Sequence, residues 1–504
     1  MNAKSIGFLL LAALAAGTSF GQPSVEPAVP DKPWTHNMWL PRFDAKRELA
    51  ATGRYDIVFL GDSITHGWES AGKEVWKANF ASGPYRALNC GISGDRTEHI
   101  LWRLDHNQLA GHSPKIFVLM IGTNNTGHHD IVEESPLDTI LGIQSVLGRL
   151  TRDHPESKIV LHPIFPRGAT TNDPNRVRND VVNSVICKFA DGKRTLWCDF
   201  NSRFLTADGV LEKSMAKDLL HPGAAGYAIW AESLKPYLDF ALGRTKRRPE
   251  PPAPPAPTAL PKSGPRTTLP DVKMYWLANI KQKVEPRLRN KRAKVCANSE
   301  HYYDAIWLGD SITHFLERTK FNDVRKEKFD GYRILNLGFG GDKTQNLLWN
   351  IEYGGFLDCV HTRLVTIMIG TNNVLEDTPE DIANGIRACL AAVRRKQPQA
   401  KVLLFSILPR DVAHGRGERD CRRTNRNVDE IMPKILKINE LIRPLADGEK
   451  VVLIDLVAKF TDAEGLPDIN LLPDGTHPDA DGYRLCADAI LPYLKSSAER
   501  PLAK

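Results

Sequence analysis

The feature that most constrains this chain is a text written twice. Tyr55-Asp-Ile-Val-Phe-Leu-Gly-Asp-Ser-Ile-Thr-His66 returns as Tyr303-Asp-Ala-Ile-Trp-Leu-Gly-Asp-Ser-Ile-Thr-His314. Leu88-Asn-Cys-Gly-Ile-Ser-Gly-Asp-Arg-Thr97 returns as Leu335-Asn-Leu-Gly-Phe-Gly-Gly-Asp-Lys-Thr344, and Met120-Ile-Gly-Thr-Asn-Asn125 as Met368-Ile-Gly-Thr-Asn-Asn373. Asp218-Leu-Leu-His-Pro222 pairs with Asp474-Gly-Thr-His-Pro478, and each runs on to a Gly-Tyr pair. The order is kept, with a few residues gained in the second copy. A chain of 504 residues is too long for one core, and the duplication divides it. Between the copies, residues 244–271 carry nine prolines in and around the run Pro249 to Pro270, a composition of extended, semi-stiff linker. The expected plan is a domain over 34–243, this linker, and a second domain over 272–496.

Within each copy, short apolar runs alternate with amphipathic stretches. In the first copy the expected strands are Asp56 to Leu60, Tyr85 to Leu88, Ile116 to Ile121, Lys158 to Ile164 and Thr195 to Cys198. Leu137 to Leu150 has its apolar residues at helical spacing. Continuous apolar strands with helical crossovers imply a parallel sheet covered on both faces, with sites at the carboxyl ends of its strands. The repeated motifs all fall at those ends.

The bulk numbers exclude more than they assign. A net charge of +7 on 67 basic and 60 acidic residues is small, and part of it lies in Arg244-Thr-Lys-Arg-Arg248. No basic stripe interleaved with aromatics marks a nucleic-acid face. Lys4 followed by the apolar run from Ile6 to Ala16, then small and polar residues to Gln22, reads as a secretory leader over 1–21 and hence an exported protein. The run is shorter than the ~20 residues that span a bilayer, and no other segment approaches that length. Three of the eight cysteines fall in the first half and five in the second, so the halves cannot both be fully paired internally. No spacing resembles a zinc site. A single Cys187–Cys198 bridge stays open.

Each motif has an ordinary structural explanation and a chemical one. Ser63 and Ser311, after an apolar strand and Gly-Asp, could be helix-capping residues or nucleophiles set where a strand turns into a helix. Asp218 with His221, and Asp474 with His477, have the i, i+3 spacing that lets a carboxylate orient an imidazole as general base. Gly94 and Gly341 can present backbone N–H groups, and Asn124 and Asn372 side-chain amides, to a developing oxyanion. Gly338-Phe-Gly-Gly341 lacks the remaining spacing of a dinucleotide-binding loop. His128, His129 and His414 are loop histidines that could approach the site.

Taken together, in order and twice, the four blocks resemble the SGNH hydrolases, the GDSL-type esterase superfamily. Leu88 to Leu104, with Pro163-Ile-Phe-Pro-Arg167 and Ser406-Ile-Leu-Pro-Arg410, is most similar to the platelet-activating-factor acetylhydrolase catalytic-subunit branch. The resemblance implies two tandem flavodoxin-like three-layer α/β/α domains, each with a five-stranded parallel sheet. It implies Ser63, Asp218 and His221, and Ser311, Asp474 and His477, as catalytic groups. Gly94 with Asn124, and Gly341 with Asn372, would be the oxyanion donors, with no metal or organic cofactor. The expected activity is hydrolysis of short, acetyl-type esters through an acyl-serine. An O-acetylated glycan is the first expectation for the substrate and a lipid acetyl ester the second. A tandem carbohydrate-binding module is the rival of another class, though such a module has no use for a complete proton relay. The first copy departs from the pattern in one place, with Asp-Leu-Leu-His where the second has Asp-Gly-Thr-His.

Overall fold

A computed structural model describes residues 23–81, 83–109, 111–127, 134–249, 266–271, 302–358, 360–411 and 428–498. The leader expected over 1–21, most of the Pro-rich linker, and His128, His129 and His414 lie outside the described residues.

In the first copy β1 (Ile57–Gly61), β2 (Ala87–Gly91), β3 (Ile116–Met120), β4 (Lys158–Leu161) and β5 (Thr195–Trp197) form one sheet of order β2-β1-β3-β4-β5. Every pairing is parallel. In the second copy β6 (Tyr302–Tyr303) pairs with β9 (His361–Thr362) as a small ribbon. The main sheet there comprises β7 (Ala305–Gly309), β8 (Ile334–Gly338), β10 (Leu364–Met368), β11 (Lys401–Phe405) and β12 (Val451–Ile454). Read from its other edge, its order is β8-β7-β10-β11-β12, the same topology, again all parallel.

The period of two along each strand divides the core. Val58 and Leu60 of β1 face one apolar layer, with Leu141, Val146 and Val182 from helices Pro136–Asp153 and Pro174–Ile186. Ile57 and Phe59 face the other, an aromatic layer of Trp68, Phe80, Phe165, Phe200 and Trp230 under helix Ala224–Ala241. In β7, Ile306 and Leu308 take the first side and Ala305 and Trp307 the second. Helices on both faces of a parallel sheet make each copy a three-layer α/β/α unit, as expected.

Some boundaries moved. The second strand begins at Ala87 rather than Tyr85, because Gly83–Tyr85 closes as a 3-10 turn and pairing with β1 then carries through Gly91. The fourth ends at Leu161, before Pro163, which has no N–H for the ladder. Cys187, at the end of a helix, and Cys198, buried after β5, are both free thiols, so the bridge left open between them is absent. The packed units also begin earlier in sequence than 34 and 272. Ser24 and Thr267, in short 3-10 turns Pro23–Val25 and Arg266–Thr268, accept through their carbonyls from Thr97 (2.8 Å) and Thr344 (3.1 Å). Among the described residues no helix is long and apolar enough to cross a membrane.

Candidate active site

Both serines open a helix at the carboxyl end of an inner strand, β1 in the first unit and β7 in the second. Asp62 accepts from the Ile64 amide at 2.9 Å, and Asp310 from that of Ile312 at the same distance. The Gly-Asp-Ser aspartates are thus helix caps, and the serines that follow are first-turn residues of Ser63–His66 and Ser311–Phe315. Tyr227 and Tyr483, from the repeated Gly-Tyr pairs, donate to the carbonyls of Ile64 (2.6 Å) and Ile312 (2.7 Å) and brace these turns from below.

The fourth block, just ahead of the last helix, meets them from the other side. Ser63 Oγ lies 2.8 Å from His221 Nε2, and His221 Nδ1 lies 2.6 Å from Asp218 Oδ2. In the second unit the two distances are 2.8 Å from Ser311 to His477 and 2.8 Å from His477 to Asp474. With Nδ1 protonated and donating to the carboxylate, Nε2 is left to accept the serine proton. The other carboxylate oxygen closes the i, i+3 turn on the histidine amide, at 2.8 Å for Asp218 and 2.7 Å for Asp474. Burial pushes the Asp474 carboxyl up, but the hydrogen bonds from the His477 ring and amide outweigh it and hold the group at about 2. Asp218 shows the same balance and lies below the usual carboxylate range. Both therefore stay anionic and acceptor-only at neutral pH.

The expected oxyanion donors follow the strands on either side of the serine-bearing one, β2 and β3 in the first unit and β8 and β10 in the second. Gly94 (φ +83°) and Gly341 (φ +75°) turn in the left-handed region that suits glycine. A Cβ on Gly94 would meet the Trp34 ring at 2.6 Å. Asn124 Nδ2 donates to the Asp95 carbonyl at 2.8 Å and Asn372 Nδ2 to that of Asp342 at 2.9 Å. Each bond fixes the amide through one N–H, and the other has no partner among the described residues.

Two arginines beside the site carry a task that the sequence showed only as part of a repeated phrase. Arg167 donates to the carbonyls of Thr123 (3.0 Å) and Gly127 (2.8 Å), and Arg410 to that of Thr371 (2.6 Å). They tie the Asn-bearing turn to the segment that follows β4 in the first unit and β11 in the second. The residue after each arginine then holds that loop: Gly168 N–H donates to the Leu219 carbonyl (2.9 Å) and Asp411 N–H to that of Gly475 (2.7 Å). Periodicity could not reveal this; the recurrence of Pro-Arg in both copies was the available signal.

The two centres differ at their rims. His221 is 41% exposed and His477 25%, because the Phe315 ring stacks on His477 with centroids 4.6 Å apart, whereas the first unit has Gly67 at that place.

The sequence model of the GDSL-like Lipase/Acylhydrolase family matches residues 59–229 and 307–485. The chain is similar to human platelet-activating factor acetylhydrolase IB subunit alpha1, 33% identical over 173 residues, covering 34% of this chain and 70% of that protein. It is likewise similar to the rat alpha2 subunit, 33% identical over 174 residues and covering 34% and 71%. Among solved structures, a putative platelet activating factor from Streptococcus pneumonia aligns with a TM-score of 0.33 and 24% identity, covering 42% of this chain and 92% of that one.

Proposed function

The chain belongs to the GDSL-like lipase/acylhydrolase family and is a carboxylic ester hydrolase, and from that premise we propose that it is an exported esterase with two complete serine centres. The observation that carries this reading is the Ser–His–Asp hydrogen-bond chain, present in each unit with nearly equal distances. His221 or His477 takes the serine proton as Ser63 or Ser311 attacks an ester carbonyl. Asp218 or Asp474 fixes the imidazole tautomer and balances the charge it gains. The amide of the serine, that of Gly94 or Gly341, and the free N–H of Asn124 or Asn372 receive the oxyanion. The histidine then returns its proton to the leaving alcohol, and water, deprotonated in the same way, frees the acyl group. The expected leader over 1–21 is the basis for export.

For the substrate we favour acetyl esters on a glycan. Both similar curated proteins are named acetylhydrolases, which supports a small acyl group. The open position of His221 and Asp218 (56% exposed) suits a bulky, hydrated partner. Among the described residues the exposed large hydrophobics are Leu49, Leu375 and Leu436, and only Leu375 lies near a site, three residues past Asn372. Long-chain lipids need a contiguous apolar groove, which a single leucine does not make.

Acetate release from O-acetylated xylan and from a 2-acetyl phospholipid, together with p-nitrophenyl acetate, butyrate and octanoate, tests the choice. The expected order is acetyl over butyryl over octanoyl, with xylan faster than the phospholipid. Faster turnover of octanoate or of the phospholipid would overturn the glycan assignment while leaving the esterase itself intact.

A further inference from the structure

Between the second centre and solvent stands a stack that the first centre lacks. Phe315 shares its ring between two partners: the imidazole of His477, inclined by 29°, and the guanidinium of Arg318, whose Cζ sits 3.2 Å from the ring centre. Arg325 braces the turn that carries Arg318, donating to the carbonyls of Leu316 and Arg318. Arg318 itself is exposed and forms no ion pair with any described residue. In the first unit the corresponding positions are Gly67 and Ser70. The cations next to that rim, Arg42 and Lys46, are both bound to Glu69 at 2.8 and 2.6 Å.

A guanidinium laid on an aromatic ring has its position fixed while the N–H groups along its edge stay available. That edge matches a carboxylate, which it can hold with two parallel hydrogen bonds. Here it lies two stacking contacts from the catalytic imidazole, about the breadth of one sugar residue. We propose that the second centre selects acetyl esters carried on carboxylate-bearing sugars, with Arg318 gripping the carboxylate and so orienting the ester against Ser311. The first centre, with Gly67 and Ser70 at these positions and Arg42 and Lys46 paired with Glu69, makes no such selection. This inference rests on the esterase reading given above. Phe315 is a positioning residue in it, holding Arg318 in place and sheltering His477.

The test uses full-length protein and two probes: methyl glucoside and its 6-carboxylate counterpart, each bearing one acetyl ester at the same hydroxyl. Ser63→Ala isolates the second centre and Ser311→Ala the first. With Ser63→Ala, kcat/KM should favour the carboxylate probe by about five- to tenfold at low salt, the scale of one charge-assisted contact at a partly exposed site, and the preference should shrink as salt rises. Adding Arg318→Gln should bring the two probes to parity, and Arg318→Lys should retain part of the preference. Ser311→Ala should show none. Parity before Arg318 is changed, or a preference that survives Arg318→Gln, overturns the proposal. Hydrolysis of both probes at equal rates sinks only the charge selection. If the Ser63→Ala protein cleaves neither probe nor p-nitrophenyl acetate, the esterase reading of the second unit fails and this proposal with it.

Discussion

Leu219 sits at φ +58°, in the left-handed region where a branched side chain is strained, and Gly475 occupies the same place at +74°. Here the first copy departs from the Asp-Gly-x-His pattern that the second keeps, and the neighbouring residue shows how the exchange is accommodated. The chain facing Gly475 carries a side chain, Asp411, whose Cβ would lie 3.1 Å from a new Cβ; the chain facing Leu219 is Gly168, which has none. Gly475→Leu should therefore destabilise the second unit by about 1–2 kcal/mol from backbone strain alone, and slow Ser311-dependent turnover. Leu219→Gly should change stability by less than about 1 kcal/mol, since relief of strain offsets the greater freedom of the unfolded chain. Denaturant titrations of the two variants check this; equal losses would contradict it. Asp62 offers a second residue-level test. Burial pushes its carboxyl up to about 7, against the pull of the Ile64 amide, so the folded chain holds a proton that the unfolded chain releases near pH 4. Between those values the unfolded state binds fewer protons, so this group lowers stability as pH rises. Asp62→Asn keeps the capping oxygen and removes the titration. From pH 5 to 8 the variant should lose less stability than the wild type, by an amount on the order of a few kcal/mol. Parallel pH profiles would show that Asp62 is not held protonated. The serines, aspartates, histidines and asparagines were legible in the sequence because their chemistry needs those residue types at those strand ends. Trp34 over Gly94 and Arg318 over Phe315 were not, since each lies against its partner only through the fold.

At the scale of elements, the main sheets were legible because strands such as β1, β3, β7 and β10 are buried on both faces, which leaves unbroken apolar runs that a helix would not need. The turns Pro23–Val25 and Arg266–Thr268 were not. Three residues have no periodicity, and the second turn ends a segment whose composition reads as linker. Each is seated by a glycine in a long helix, where backbone meets backbone. A Cβ on Gly142 would meet Thr97 Oγ1 at 2.2 Å and the Ser24 carbonyl at 2.8 Å. On Gly385 it would meet Thr344 Oγ1 at 2.5 Å and the Thr267 carbonyl at 2.8 Å. Helix propensity alone favours alanine over glycine by about 0.8–1.0 kcal/mol. Overpacking works the other way, at about 1–3 kcal/mol, and should win. Gly142→Ala and Gly385→Ala are both expected to destabilise their own units and to quicken proteolysis near residues 23–28 or 266–271. Stabilisation by either change would mean that these turns are not held as described.

For the whole molecule, the duplication is the central fact. Every catalytic contact described is made within one unit: Ser63 with His221, and Ser311 with His477. The chain thus holds two proton relays, neither borrowing a group from the other copy. The repeat itself was plain in the sequence. What distinguishes the copies was less so, because it lies in rim residues such as Gly67 and Phe315 that no shared motif marks. Turnover of p-nitrophenyl acetate by the wild type, Ser63→Ala, Ser311→Ala and the double variant tests the two-centre account most directly. Each single variant should keep the activity of its intact unit, the two residual rates should add up to the wild-type rate, and the double variant should fall to background. Full activity in the double variant, or its complete loss in either single one, would contradict two independently complete centres.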